Sequence, residues 1–98
     1  MNDISFQWDH RKAKSNLRKH GIHFEEAATV FYNDNAREYF DPDHSENEDR
    51  FLMLGMSRNL RVLIVSYCFC EFDNIIRIIS SRKANNNEIR NYFAGGKL

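Results

Sequence analysis

From residue 51 to residue 81 apolar side chains come in three runs, FLMLGMS (51–57), RVLIVSYCFCE (61–71) and IIRIISS (75–81). Their β-branched and aromatic content predicts strands. The connections SRNL and FDN are short and rich in turn residues, so neighbouring strands pair as antiparallel hairpins. ISFQW (4–8) and Arg37–Phe40 predict two shorter strands, with a turn over 33–36 and an acidic loop, DPDHSENED (41–49), opened by Pro42. Between the first two strands the period changes. Phe24, Ala27, Ala28 and Phe31 fall at i, i+3, i+4 and i+7 and predict a helix over Phe24–Tyr32, with Glu25 and Glu26 in its first turn. A helix over His10–His20 is marked by Asp9 as N-cap and Gly21 as its end. Its apolar pair is only Ala13 and Leu17, so it packs along a narrow line and shows most of its surface to water or to a partner. Asn85 and Glu88 form a capping-box pattern, and Ile89, Tyr92 and Phe93 give the stripe of a C-terminal helix before a fraying AGGKL tail.

The order β-α-α-β-β-β-β-α predicts one α+β domain over 1–98, its helices against one face of an antiparallel sheet. Ninety-eight residues suffice for one modest core. No apolar run is long enough to span a bilayer, and no basic-then-apolar leader opens the chain, so a soluble cytoplasmic protein is expected. Cys68 and Cys70, two apart on one strand, lie near or beyond disulfide reach and are expected as buried free thiols. The formal charge is zero, yet residues 1–49 hold 6 Lys/Arg against 11 Asp/Glu, while residues 50–98 hold 8 against 3. That division either neutralises itself within the fold or leaves a basic face for a polyanion.

Arg77 sits among Ile75, Ile76, Ile78 and Ile79, where an unpaired guanidinium is costly. It either pairs with the acidic segment Glu46, Glu48 and Asp49 or faces a wet cleft and binds phosphate. A period of two puts Ile75, Arg77 and Ile79 on one face and Ile76, Ile78, Ser80 and Arg82 on the other. Arg82 and Lys83 stand at a strand-to-helix corner, where backbone N–H groups assist anion binding. His20 is the best placed acid or base, although a terminal histidine also serves merely to satisfy the last helix carbonyls. HSE (44–46) reads as turn chemistry or as part of a site. No CxxC pair, HExxH, EF-hand, P-loop, GxSxG or GxGxxG spacing occurs, so no metal or nucleotide cofactor is expected. Tyr67 and Phe69 share a face and read as core or as a stacking pair.

FQWDHRKAKSNLRKHGIHFEEAATVF, DHSENEDRFLMLGMS and RIISSRKANNNEIRNY together resemble the BrnT family of ribonuclease toxins from bacterial type II toxin-antitoxin pairs. The resemblance runs over nearly the whole chain. It implies a RelE-like fold, a metal-free endoribonuclease that cleaves RNA and so inhibits translation and growth, and a BrnA-like antitoxin that binds operator DNA in its stead. The resemblance carries over Arg77 and Arg82, Lys19 and His20, and Glu48 and Arg50; on them the expected roles are phosphate binding and stabilisation by Arg77 and Arg82 with Lys19 assisting, His20 or Glu48 as base or acid, and RNA binding by Arg50, joined by Lys83 from its place at the strand-to-helix corner. His23 and Asn85 depart from the family pattern at helix caps. The competing expectation is an inactive toxin-like module that only engages an antitoxin and its operator complex.

Overall fold

The computed structural model describes residues 4–70 and 74–95. The expected strand end at Glu71, most of the FDN connection and the last three tail residues lie outside them. The elements are β1 (Ser5–Gln7), α1 (His10–His20), α2 (Phe24–Thr29) running into a 3₁₀ turn (Val30–Tyr32), β2 (Arg37–Phe40), β3 (Arg50–Met56), β4 (Val62–Phe69), β5 (Ile75–Lys83) and α3 (Asn86–Ala94). A second 3₁₀ turn, Pro42–His44, stands in the acidic loop. Asp9 caps α1 by accepting from the N–H groups of Arg11 and Lys12, and Gly21 ends it at φ 71°, a left-handed conformation that suits glycine. At α3 the capping box forms fully between Asn85 and Glu88, whereas His23 precedes α2 without a side-chain cap.

The strands lie in the order β1-β5-β4-β3-β2. β2 to β5 form antiparallel pairs as expected. β1 departs, pairing in parallel with the first third of β5, Ser5 opposite Ile75 and Gln7 opposite Arg77, so the sheet is mixed. A three-residue strand carries no sequence mark of which neighbour it joins.

Helices cover both faces, which corrects the expectation of one. Ile22, Phe24, Ala27 and Val30 from the α1–α2 region pack with Leu63, Val65, Tyr67, Ile76 and Ile78. Tyr92 and Ile89 of α3 pack with Leu54, Ile64, Leu52 and Tyr39 on the other side. The cause is in β4, whose Val62–Val65 run is apolar at consecutive positions and needs cover on both sides. A bulge also breaks the period of two: Tyr67 pairs with Ile78 and Ser66 with Ser80, leaving Ile79 unopposed. Arg82, opposite Ile64, therefore shares the α3 face with Arg77, opposite Cys68, rather than facing away from it.

Two polar residues fasten the α1–α2 layer. Asn16 is the buried residue of α1; its Nδ2 donates to the Ile22 carbonyl at 3.0 Å, and its Oδ1 accepts from the Ser81 N–H at 2.9 Å. Glu26 of α2 is also buried, held by the Arg61 guanidinium and by the Ser57 hydroxyl at 2.7 Å, which ties α2 to the β3–β4 turn. The Arg61 hydrogen bond, aided by Ser57, keeps the Glu26 carboxyl below the usual carboxylate range against burial. Gly55 admits the 3₁₀ turn: a Cβ there would meet Val30 Cγ1 at 2.8 Å and Ala36 Cβ at 2.9 Å.

Replacing Asn16 by Ala strands the Ser81 N–H and the Ile22 carbonyl away from water. Urea unfolding of Asn16→Ala is expected to show a loss of about 1–3 kcal/mol. A loss below about 0.5 kcal/mol, the scale of an ordinary surface change, contradicts the role given to Asn16.

Candidate functional site

β1 covers the outer edge of β5 only from Ile75 to Arg77. Beyond that point the edge of β5 faces α1, and the two elements form a groove. Its first cavity, about 370 Å³, is lined by Gln7, Trp8, Asp9, Lys12 and Arg77. The second, about 210 Å³, is lined by Lys12, Ser15, Asn16, Lys19, His20, Ile79 and Ser80. Lys12 belongs to both, so the cavities are consecutive stretches of one groove. Lys12, Ser15, Asn16 and Lys19 fall at i, i+3, i+4 and i+7, a single stripe on α1. Where a helix on a sheet ordinarily presents aliphatic side chains, this one presents two lysines about 10 Å apart along its axis.

Arg77 is exposed and makes no hydrogen bond or ion pair among the described residues. The internal pairing with Glu46, Glu48 or Asp49 does not form within that set: Glu48 lies 3.8 Å from the Arg50 guanidinium instead. Among the described residues the acid lining the groove is Asp9, whose carboxylate is held below its usual range chiefly by the Lys12 backbone N–H it accepts. Three cations, Arg77, Lys12 and Lys19, with His20 at the end, thus line a wet groove in which that acid is already committed to a helix cap.

The remaining candidates lie elsewhere. Arg82 is engaged bidentately by Glu88, at 2.8 and 2.9 Å, and Glu88 also accepts from the Asn85 N–H. Arg82 so braces the corner that launches α3, while Arg37 braces its far end, donating to the Asn91 and Tyr92 carbonyls. Arg77 and Arg82 stand about 15 Å apart along the strand. Lys83 rims a separate, apolar cavity with Leu60, Val62 and Phe93. Arg50 and Glu48 lie on the α3 face, where Arg50, Cys68 and Arg77 form one cross-strand row. Burial, with Glu48 accepting from it, pushes the Cys68 thiol up to about 11, which keeps it protonated and without nucleophilic use. Both cysteines are free, and Cys70 is only half-buried. His44 bonds Asp41 at 2.9 Å and the Ser45 hydroxyl accepts from the Arg50 N–H, so HSE serves the turn. Tyr67 is buried, donates to Glu38, and belongs to the core. No cluster of three or more metal-ligating side chains occurs among the described residues.

Residues 8–88 match the family described as "Ribonuclease toxin, BrnT, of type II toxin-antitoxin system". The chain belongs to the BrnT family. The solved structure of the Brucella abortus ribonuclease toxin BrnT, a 1.1 Å crystal structure, superposes with a TM-score of 0.63 over 85% of this chain and 99% of that one, at 21% identity. At that identity the likeness establishes the shared α+β fold. No curated protein matches the chain. As a BrnT-family member it is a ribonuclease toxin, an endoribonuclease, and has an antitoxin protein as partner.

Within this BrnT-family chain, sequence reasoning missed Lys12, Asn16 and Trp8 as groove residues. The signal for the first two was present: a helical i, i+3, i+4, i+7 spacing made of polar residues rather than apolar ones. Trp8 carried no such mark, since its place depends on where β1 ends.

The division of labour between the arginines is measurable. Arg82→Ala removes a partner from half-buried Glu88 and is expected to lower stability by about 1 kcal/mol, whereas Arg77→Ala, at an exposed side chain with no bond to the described residues, is expected to stay within about 0.5 kcal/mol of the parent. Arg82 holds Glu88 below the ordinary glutamate value of 4.5, as Arg61 does Glu26. A carboxyl depressed in the folded state adds stability above its unfolded value and loses it as the pH falls through the folded one. Unfolding midpoints should therefore drop below about pH 4.5, and Glu26→Gln and Glu88→Gln should each flatten that drop. An unchanged acid limb in both variants contradicts the assignment.

Proposed function

We propose that the groove between α1 and β5 is the RNA-cleaving site of this ribonuclease toxin. The observation that carries the reading is the alignment of Arg77, which has no ion-pair partner among the described residues, with shared Lys12, Lys19 and His20 along one polar groove. An RNA strand laid along it meets a cation about every helical turn or two, with the scissile phosphate at the Lys19–His20 stretch and a neighbouring phosphate on Arg77. The substrate's own 2′-OH attacks the adjacent phosphorus, forming a 2′,3′-cyclic phosphate and releasing the 5′-oxygen, which is protonated as it leaves. His20 is the proton-transfer group, since an imidazole carries both an acceptor and a donor nitrogen and so takes the 2′-OH proton and returns one to the leaving 5′-oxygen. Lys19 supplies the positive charge that the phosphorane gathers, while Arg77 anchors the neighbouring phosphate, so the step needs no metal. Arg50, with Glu48 3.8 Å from its guanidinium, continues the track onto the sheet face beside Arg77, about two strand spacings or 10 Å away. Arg82 is assigned to holding α3, with Lys83 at its margin.

The antitoxin is proposed to be BrnA-like and to provide the complex's only contact with operator DNA. Exposed Leu60 and Phe93, which flank the apolar cavity with Met56, Val62 and Ile89, suit an ordered segment of such a partner. No described helix is long and apolar enough to cross a membrane. The proposed place of action is the cytoplasm, where the RNA is.

Purified protein incubated with single-stranded RNA tests the site. His20→Ala is expected to slow cleavage by about 10²–10⁴-fold, and Arg77→Ala to lower it by about tenfold at subsaturating RNA through weaker binding; fragments should end in 2′,3′-cyclic phosphate and form at the same rate with EDTA. Parent-like cleavage by both variants contradicts the site. A parent protein that binds its antitoxin yet cuts no RNA supports the inactive-module reading instead.

A further inference from the structure

We propose that the cavity at the α1 end of β1 is a nucleobase subsite, in which Trp8 stacks on a base of single-stranded RNA whose phosphate lies on Arg77. The inference rests on the reading of the groove as the RNA site and adds which part of the substrate the first cavity takes. Trp8 is the chain's single tryptophan. Its ring meets Phe24 at 5.8 Å and 78°, which fixes it against the core. Yet the two rings are used differently: Phe24 is fully buried, while Trp8 stays half-buried and lines the cavity. Its companions there are not packing residues. Lys12 and Arg77 are exposed cations, and Gln7 donates its amide N–H to the Cys70 sulfur at 2.9 Å, which orients the side chain and leaves its carbonyl oxygen without a described partner. An anchored aromatic ring, an exposed guanidinium and an oriented acceptor are what an unpaired nucleotide requires. A base held in a duplex cannot reach the ring, so the subsite selects single strands or flipped bases.

Trp8 fluorescence reports on the subsite without any need for turnover. A short 2′-O-methyl oligonucleotide, which lacks the attacking hydroxyl, is titrated against the full chain, in parallel with the same oligonucleotide carrying single abasic positions. Saturable quenching is expected with the intact oligonucleotide and is lost when one particular position is abasic. Anisotropy of a labelled oligonucleotide is expected to show about tenfold weaker binding to Trp8→Ala and near-parent binding to Trp8→Phe, which keeps a ring against Phe24. Binding by anisotropy with unchanged Trp8 emission, or equal affinity for the intact and every abasic oligonucleotide, overturns the base subsite while leaving the groove reading in place. Absence of any binding to the parent overturns both.

Discussion

The architecture of the groove depends on one buried amide. β1 is too short to pair the whole edge of β5, and an open strand edge exposes backbone donors that seek a partner. Asn16 supplies it from the helix, accepting from the Ser81 N–H while donating to the Ile22 carbonyl after the turn. A strand neighbour would have filled the space beside β5. A helix held off by an amide instead leaves a trough, floored by Ile79 and Ser80 and walled by Lys12, Ser15 and Lys19. Because the fastening is polar and specific, α1 needs little apolar surface, and its remaining positions are released to carry charge.

Six of the described cations show two uses. Arg61, Arg82 and Arg37 are bonded internally, to Glu26, to Glu88 and to the carbonyls at the end of α3, and each ties one element to another. Arg77, Lys12 and Lys19 line a solvent groove. This sorting answers whether the division of charge along the chain is self-neutralising. Part of it is, but the helix α1 carries five of the six Lys/Arg in the otherwise acidic first half, and it lies against Arg77 from the basic second half. Folding thus assembles a cationic track that neither half displays alone, which accords with a ribonuclease toxin.

Much of the fold was legible. Local capping and hairpin chemistry marked α1, α3 and the β3–β5 meander, because Asp9, Gly21, Asn85 and Glu88 act on neighbours within four residues. What stayed hidden was non-local. The bulge at Ile79 moved Arg82 to the face of Arg77, and no residue type announces a bulge between Ser66 and Tyr67. Glu26 reads as a first-turn acid and is in fact a buried anchor, since its partner Arg61 is far along the chain. Of the expected catalytic residues, Arg77 and His20 share the groove, with Lys19 of the RNA-binding set; Arg82 and Glu48 do not, because the family motifs that hold them also hold the corner of α3 and the row beside Cys68.

Backbone amide chemical shifts of the full chain, recorded while an uncleavable 2′-O-methyl RNA is added, test the account most directly. The largest changes are expected at Lys12, Ser15, Lys19 and His20 of α1 and at Ile79 and Ser80 of β5. Changes confined to Leu52, Ser66 and Arg50 on the sheet face, or to Leu60 and Phe93, with α1 unmoved, would contradict it.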